Sequence, residues 1–119
     1  MSNLIKVILA DDAKFVRNLI KRYLDFSKFE IVGEADNGKE LITLSEKTSP
    51  DLIITDITMS ELDGVEAMKI IKKKQSDIKF LICSARADML EEAMSLGADV
   101  FLQKPFDEKT FLEKINKII

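Results

Sequence analysis

Five short apolar runs, separated by segments of helical period, most constrain how this sequence can fold. The runs are rich in isoleucine, valine and leucine; they are Ile5–Ala10, Glu30–Ala35, Asp51–Asp56, Lys79–Cys83 and Asp99–Gln103. Short, nearly continuous apolar runs are typical of strands that are buried on both faces of a sheet. The run that begins at Glu30 is the most polar of the five, which favours an edge position for that strand.

The segments between these runs carry apolar side chains at helical spacing. In the first segment, the face predicted to be buried carries Phe15, Leu19 and Tyr23, with Val16, Ile20 and Leu24 beside them. The basic residues of this segment are predicted to point outward; they are Lys14, Arg17, Lys21 and Arg22. The second helix is expected around Lys39–Glu46 and is predicted to end at Ser49-Pro50. Later helices are indicated by Val65, Met68 and Ile71, by Leu90, Ala93 and Met94 with Gly97 as the C-terminal cap, and by Phe111, Ile115 and Ile118.

Five strands that alternate with five helices predict a repeated βα unit. A closed eight-fold barrel needs roughly 250 residues, and this chain has 119. We therefore expect one α/β domain over residues 1–119, a flavodoxin-like (βα)5 doubly wound open parallel sheet with strand order 2-1-3-4-5. The sequence contains no low-complexity tract or charge block that would divide it.

The composition excludes several classes of chemistry, because the chain has no histidine and only one cysteine, Cys83. A Ser-His-Asp triad, a histidine base, a histidine-ligated metal and a multi-cysteine cluster are all excluded. The 18 basic and 21 acidic residues give no general affinity for nucleic acid. The apolar run near the N-terminus is shorter than a secretory signal or a membrane span of about 20 residues, so we expect a cytoplasmic protein without membrane insertion.

Polar residues follow four of the predicted strands. Strand 1 ends in Asp11-Asp12, strand 3 in Asp56, strand 4 in Ser84 and strand 5 in Lys104. Ligands of open parallel sheets bind beyond the carboxyl ends of the strands, at the point where the strand order reverses. The sequence therefore predicts that three acids, a hydroxyl group and a lysine converge at one edge of the sheet.

Three carboxylates at one site repel each other unless a cation neutralises them. An all-oxygen donor set suits Mg²⁺, and also Mn²⁺, because both prefer octahedral oxygen coordination. The alternative is that Asp11 and Asp12 cap the N-terminus of the first helix, where aspartate is favoured for structural reasons alone. The two roles are compatible, and the third acid favours the metal site.

Each of the other strand-end residues also has two interpretations. Asp56 follows an apolar strand and is costly to desolvate, so it is either a capping acid or a nucleophile that accepts a phosphoryl group. Lys104 precedes Pro105 and either pairs with a phosphate or forms a surface salt bridge. Ser84 either donates a hydrogen bond to a phosphate oxygen or caps a helix.

These residues and their spacing resemble the receiver domain of two-component response regulators, over the whole chain. The matching motifs are Ala10-Asp11-Asp12, Asp56-Ile57-Thr58-Met59 through Asp63-Gly64, Ser84-Ala85 and Lys104-Pro105-Phe106. The resemblance implies that Asp56 is the phosphoacceptor and that Ser84 and Lys104 contact the acyl phosphate. It also implies that Asp12 and Asp56 bind Mg²⁺ directly, that Asp11 binds it through water, and that the backbone carbonyl of Thr58 completes the protein ligands.

The same resemblance implies a switch. Phe101 matches the aromatic residue that changes rotamer on activation, although a fixed core position is the alternative because strand residues alternate between the two faces. Thr58 and Arg86 would flank the phosphate and tune its lifetime. The surface of helix 4, strand 5 and helix 5 would carry the signal, with Met89 and Met94 either on that face or, as is usual for methionine, in the core.

The resemblance also implies partners. A sensor histidine kinase would donate the phosphoryl group, so the histidine that this chain lacks is expected on the kinase. The likeness within the family is greatest to the single-domain chemotaxis regulators, which implies the flagellar motor switch as target and a phosphatase as a further partner. A single-domain phosphorelay protein or another signalling receiver would show the same core. Ser60 stands where many receivers have proline, and its amide predicts a more mobile loop after Asp56.

Three other functions fit the sequence less well than the receiver. A Mg²⁺-dependent phosphatase with an aspartyl nucleophile would have an Asp-x-Asp motif after strand 1, whereas Asp11 and Asp12 are adjacent. An FMN carrier would need a phosphate loop there, and two aspartates would repel the phosphate. An interaction module without phosphorylation would not need the complete acidic set. We therefore expect a phosphoacceptor that is not an enzyme beyond catalysing its own phosphorylation and dephosphorylation.

Overall fold

The computed structural model describes residues 3–118, in which strands and helices alternate along the chain. The strands are β1 (Ile5–Ala10), β2 (Phe29–Ala35), β3 (Leu52–Thr55), β4 (Lys79–Ser84) and β5 (Val100–Gln103). The helices are α1 (Lys14–Tyr23), α2 (Gly38–Thr48), α3 (Gly64–Lys74), α4 (Leu90–Ser95) and α5 (Glu108–Ile115), and a 3₁₀ turn, Ala87–Met89, leads into α4. Within this part of the chain, no helix combines the length and the apolar character that crossing a bilayer requires.

The five strands form one parallel sheet in the order β2-β1-β3-β4-β5. Both the predicted fold class and the predicted strand order are confirmed. The polar strand β2 lies at an edge, as the sequence indicates, because only one of its sides hydrogen-bonds to a neighbour. The order reverses between β1 and β3, so the carboxyl ends of these two strands flank the crevice of the sheet.

The sheet separates two apolar cores. Helices α2, α3 and α4 cover one face, whereas α1 and α5 cover the other. Alternate residues of β3 serve the two cores, since Ile53 packs in the first while Leu52 and Ile54 pack in the second. Each such buried side chain stabilises the fold by about 1.5–3 kcal/mol before entropy losses. Helices therefore pack on both faces of the sheet, and this packing holds the strand ends in fixed positions.

Two helix ends predicted from the sequence are confirmed. Helix α2 is followed by Ser49, whose φ of 47° places it in the left-handed region, and then by Pro50. After α4, Gly97 has a φ of 125°, a conformation that glycine adopts without the steric cost of a β-carbon. Helix α2 is longer than the predicted Lys39–Glu46 at both ends.

The predicted orientation of α1 is wrong at two positions. Phe15 was expected in the buried face, but it is 76% exposed, while Ile20 and Leu24 are buried. Arg17 was expected to point outward, but only 14% of its side chain is exposed and its guanidinium contacts the sheet. Consecutive side chains on a helix point in directions about 100° apart, so the apolar pattern defines the buried face only approximately. The docking of α1 on the sheet determines which side chains are buried.

The short helix α4 buries less than its pattern predicts. Ala93 is buried, whereas Leu90 is 44% and Met94 is 40% exposed, and Met89 lies half-buried against the core. The interpretation of Met94 as core filler is therefore wrong. Two apolar side chains of α4 remain on the surface beside β5.

Three aromatic rings hold the loop that follows β5. Tyr23 at the end of α1 lies 6.3 Å from the ring of Phe106 and 5.8 Å from that of Phe111. The rings of Phe106 and Phe111 stack at 5.9 Å. Aromatic contacts at these distances contribute roughly 0.5–1.5 kcal/mol each. Since Phe106 is two residues after Lys104, this packing anchors the segment that carries the lysine.

Candidate functional site

The structure brings the predicted strand-end residues together. Asp11, Asp12 and Asp56 each offer a carboxylate oxygen, and these oxygens lie within 4.8 Å of one another. Lys104, at the end of β5, reaches two of these acids. The cluster forms because parallel strands place their carboxyl ends at the same edge of the sheet.

Asp56 lies directly after β3, and only 9% of its surface is exposed. Its Oδ1 accepts a hydrogen bond of 2.7 Å from the backbone N–H of Ile57, and its Oδ2 accepts one of 3.0 Å from Lys104 Nζ. Burial raises the pKa of the Asp56 carboxyl, and the nearby charge of Asp11 acts in the same direction. The hydrogen bond and charge of Lys104 oppose this rise without cancelling it, so the pKa stays above its usual value.

Asp11 is 3% exposed and is held on several sides. Its backbone N–H donates to the Ala35 carbonyl at 3.0 Å, and its Oδ1 accepts from the N–H of Ala13 at 2.9 Å. Its Oδ2 accepts from Lys104 Nζ at 2.7 Å. The capping interpretation is not what the structure shows: Ala13 is the N-cap residue of α1, and no side chain caps this helix.

Asp12 differs from the other two acids because it is exposed. Among the described residues it takes part in no ion pair, whereas Asp11 and Asp56 share the ammonium of Lys104. Three carboxylates and one ammonium leave two uncompensated negative charges, which are open to solvent on the side of Asp12. A cluster with this charge and an all-oxygen donor set is able to hold a divalent cation such as Mg²⁺.

Lys104 is not the surface salt bridge that its alternative interpretation implied. Its side chain is 19% exposed, and its ammonium group bridges Asp11 and Asp56. Burial, the largest single effect, lowers the pKa of Lys104, but the hydrogen bonds and charges of the two aspartates together raise it above its usual value. The lysine is therefore charged at neutral pH and aimed at Asp56.

Ser84 closes β4 and is almost fully buried at 1% exposure. Its Oγ accepts a hydrogen bond of 3.0 Å from the backbone N–H of Arg86. The Arg86 guanidinium pairs with Asp88 at 2.9 Å on the surface, and it forms no ion pair with the three aspartates of the cluster among the described residues. Thr58 is also exposed. The end of β4 therefore brings Ser84 to the same edge of the sheet as the acids. Arg86 and Thr58 are exposed, and their role beside the phosphate stays a prediction.

Phe101 points into the core, where it is 6% exposed. It is paired with Ile82 of β4 and packs in the core covered by α2, α3 and α4. A shallow surface cavity of about 250 Å³ lies beside it, lined in part by Leu90, Met94 and Lys114. The structure thus places the aromatic ring between the buried core and the exposed apolar side chains of α4.

The loop after Asp56 is tied to its surroundings. A parallel bridge joins Ser60 to Asn37, and the N–H of Gly64 donates to the Ile57 carbonyl at 2.8 Å. Asp63 caps α3 by accepting from the N–H of Glu66 at 2.8 Å. Asp63, not Asp56, is the capping acid of this helix. The greater mobility expected from Ser60 stays a prediction.

An ion-pair network beside Asp11 is not predicted by the sequence patterns. Arg17 Nε donates to Glu34 Oε1 at 3.0 Å, Lys21 Nζ donates to Glu34 Oε2 at 2.8 Å, and Arg17 also donates to the backbone carbonyl of Asp11. The sequence holds one signal for this network. Glu34 is an acid in the predicted edge strand, and the helix that precedes this strand is rich in basic residues. An acid in an edge strand and a cation on the neighbouring helix are natural partners, since neither is easily buried alone.

Comparison with known proteins gives one consistent family. The family model described as "Response regulator receiver domain" matches residues 7–116. The chain is 40% identical to the chemotaxis protein CheY of Bacillus subtilis over 116 residues, which covers 96% of this chain and 97% of that protein. It is 36% identical to CheY of Thermotoga maritima, over 95% of this chain and 96% of that protein. The structure is similar to the REC domain of AraT, a response regulator from Geobacillus stearothermophilus, with a TM-score of 0.91 and 28% identity over 97% of this chain and 92% of the other.

Proposed function

Because this chain belongs to the response regulator receiver family, we propose that it is a phosphorylation switch in which a sensor histidine kinase transfers a phosphoryl group to Asp56. The single observation that carries this proposal is the joint contact of Lys104 with Asp11 and Asp56, at 2.7 and 3.0 Å, inside a cluster of three carboxylates. This arrangement pairs a nucleophilic acid with a cation that is able to neutralise a phosphate.

The donor set supports Mg²⁺ as the metal, with Mn²⁺ as a substitute. Asp12 and Asp56 would bind it directly, Asp11 would bind it through water, and the Thr58 carbonyl would add a further oxygen. When bound, Mg²⁺ supplies neutralisation of the charge on the transferring phosphoryl oxygens. The two uncompensated negative charges of the cluster match the charge of such an ion.

Asp56 would act as the nucleophile. A carboxylate oxygen of Asp56 forms a bond to phosphorus while the P–N bond of the phosphohistidine breaks, and the imidazole keeps the electron pair and takes up a proton. The hydrogen bond from Ile57 N–H fixes one oxygen and so orients the carboxylate. The burial that raises the pKa of Asp56 also strips water from it, which favours attack.

Lys104 and Ser84 would hold the product. Lys104 can exchange its contacts with the aspartates for the new phosphate, to which it presents a point charge. The Ser84 Oγ accepts a hydrogen bond from Arg86 N–H, so the hydroxyl hydrogen remains available for a phosphate oxygen. Thr58 and Arg86, which are both exposed, would flank the phosphate and govern the access of water, and hence the lifetime of the phosphate.

The signal would leave through the surface of α4, β5 and α5. Movement of Ser84 toward the phosphate lets Phe101 repack, and the ring lies next to the cavity that Leu90 and Met94 help to line. An aromatic ring that repacks between a core and an apolar surface would serve as the bistable element of the switch. The similarity to CheY proteins supports the flagellar motor switch as the target, a phosphatase as a further partner and the cytoplasm as the location. Another signalling pathway that uses a receiver is the second candidate.

The phosphoacceptor proposal is tested with a small acyl phosphate. Intact mass spectrometry of the protein with the donor and Mg²⁺ should show the gain of one phosphoryl group, and a chelator should prevent it. Asp56→Asn should show no gain in mass. Asp77→Asn, a change at an exposed acid that precedes β4, should gain one phosphoryl group as wild type does. Equal labelling of Asp56→Asn and wild type would refute the proposal. Hydrolysis of free phosphoesters in many turnovers would instead identify a phosphatase.

The proposed output surface is tested by binding. A purified motor-switch protein from the same cell should bind the phosphorylated form more tightly than the unphosphorylated form. Met94→Asp should abolish this preference, whereas Ile70→Asp should not, because Ile70 is similarly exposed, 38% against 40%, but lies on α3. If neither form binds the motor-switch protein, the chemotaxis target is wrong although Asp56 is still labelled.

A further inference from the structure

Arg17 connects the helix α1 to the two strands beneath the acidic cluster. Its Nε donates to Glu34 Oε1 at 3.0 Å, and its Nη1 donates to the backbone carbonyl of Asp11. Only 14% of its side chain is exposed. A guanidinium group presents its donors in a rigid, planar fork, so the position of one hydrogen bond largely fixes the direction of the other.

Glu34 is a rigid anchor for this fork. It lies on β2, where it is paired with Leu9 of β1, two residues before Asp11. Its second oxygen accepts from Lys21 Nζ at 2.8 Å. The hydrogen bond from Lys21, followed by that from Arg17, holds the pKa of Glu34 below its usual value, so the acid is ionised at neutral pH. The anchor is therefore charged and fixed by the sheet.

The contact with the Asp11 carbonyl acts on the peptide that joins Asp11 to Asp12. The peptide group is planar, so holding its oxygen sets the direction in which Asp12 leaves the strand. The other contacts of Asp11 involve its N–H and its side chain and do not hold this carbonyl. Because Asp12 forms no ion pair among the described residues, its position depends on the backbone that carries it.

We propose that Arg17, anchored by Glu34, is a positioning residue of the metal site: it orients the Asp11–Asp12 peptide and thereby holds Asp12 in the place where it binds the ion. This inference rests on the proposed function, because it assumes that the acidic cluster binds Mg²⁺. It adds a residue that touches neither the metal nor the phosphate. Groups that orient metal ligands typically change metal affinity about 10- to 100-fold when they are removed.

Charge and geometry make opposite predictions for this residue. Arg17 is a cation near a site for a dication, so its removal should strengthen metal binding if charge alone mattered. If its role is to orient the peptide, its removal should weaken metal binding. Arg17→Lys separates the two further, since lysine keeps the charge but lacks the planar fork.

The test measures the affinity for Mg²⁺ and Mn²⁺ without any phosphodonor, by isothermal titration calorimetry and by Mn²⁺ electron paramagnetic resonance. Arg17→Met and Arg17→Lys should each bind about tenfold more weakly than wild type or worse. Lys21→Met is the matched control: it removes a cation from the same Glu34 but leaves both contacts of Arg17, and it should stay within about twofold of wild type. Affinity in Arg17→Met equal to or tighter than wild type would overturn the proposal.

A role of Arg17 in positioning Asp12 is distinguished from a role in overall stability by measuring all variants well below their melting temperatures. Circular dichroism checks that each variant is folded. At saturating Mg²⁺, Arg17→Met should be phosphorylated nearly as fast as wild type, since the loss lies in metal affinity. If Arg17→Met does not fold, Glu34→Gln is measured in its place, because it keeps the guanidinium and weakens its anchor. Glu34→Gln should show a smaller loss of Mg²⁺ affinity than that expected for Arg17→Met. Unchanged Mg²⁺ affinity in Glu34→Gln would overturn the proposal. If wild type itself binds no Mg²⁺, the proposed function fails, which is distinct from failure of the role of Arg17.

Discussion

The ammonium group of Lys104 lies 2.7 Å from a carboxylate oxygen of Asp11, although 93 residues separate the two in the sequence. The same ammonium group reaches Asp56 at 3.0 Å. One cation thus joins the ends of β1, β3 and β5. This contact stabilises two buried acids while no phosphate is present.

Replacement of Lys104 by methionine should destabilise the protein in metal-free buffer. The change leaves Asp11 and Asp56 without their cation, and an unpaired buried charged group costs about 1–3 kcal/mol or more. Urea unfolding at neutral pH should show a loss of this size, and Mg²⁺ should recover most of it by supplying a new cation. Lys109→Met, at an exposed lysine of α5, is the control. A loss that Mg²⁺ does not reduce would contradict the prediction.

Asp56→Asn should stabilise the metal-free protein at neutral pH by roughly 1 kcal/mol, a usual scale for one substitution. Burial raises the folded-state pKa of Asp56 above its unfolded value, so its contribution favours folding most below the unfolded pKa and is lost as the pH rises through the folded pKa. The advantage of Asp56→Asn should therefore be absent in acid and grow as the pH rises above the usual aspartate range. Thermal melting at several pH values measures it, and saturating Mg²⁺ should reverse its sign.

Gly64→Ala should be among the most destabilising single substitutions near the site. A β-carbon at Gly64 would lie 1.8 Å from the carbonyl oxygen of Asp56, which is backbone and cannot move aside cheaply. We expect a loss of about 3 kcal/mol or more in chemical denaturation. Gly33→Ala is the control, because its β-carbon would meet only the end of the Leu44 side chain at 3.2 Å. Similar losses for both variants would show that the close approach to Asp56 is unimportant.

Ser84→Ala should separate phosphorylation from its readout. The variant loses the hydroxyl that accepts from Arg86 N–H, which should lower stability by about 1 kcal/mol. It should still be labelled at Asp56, but the amide chemical shifts of α4 and β5 should change much less on labelling than in wild type. Ser95→Ala, which removes an exposed hydroxyl bonded to the Glu92 carbonyl, should leave those shifts intact. A full response in Ser84→Ala would exclude the serine from the switch.

The strand order and the acidic edge were predictable because they depend on repeated local patterns. A strand that is buried on both faces needs a continuous apolar run, and parallel strands must end at one edge, so Asp11 and Asp56 had to converge. The capping residues were less predictable. Asp11 turns back on Ala13 N–H and Asp63 caps α3, a distinction that depends on backbone angles and not on residue type.

The surface of α1 could not be predicted from its apolar spacing. Phe15 and Val16 are adjacent and both apolar, yet Phe15 is exposed while Val16 packs against the core, because the sheet accepts only one helix orientation. The inward course of Arg17 depends on Glu34, which lies on a different element. An ion pair between a helix and a strand cannot be predicted from the spacing of apolar residues within either element.

The packing of Tyr23 against Phe106 also has a spectroscopic consequence. The chain has one tyrosine and no tryptophan, so its absorption and emission above the phenylalanine band come from a single chromophore. That chromophore touches the ring two residues after Lys104. The near-ultraviolet circular dichroism above the phenylalanine band is therefore a label-free optical probe of the segment that carries the lysine, and it needs no engineered reporter.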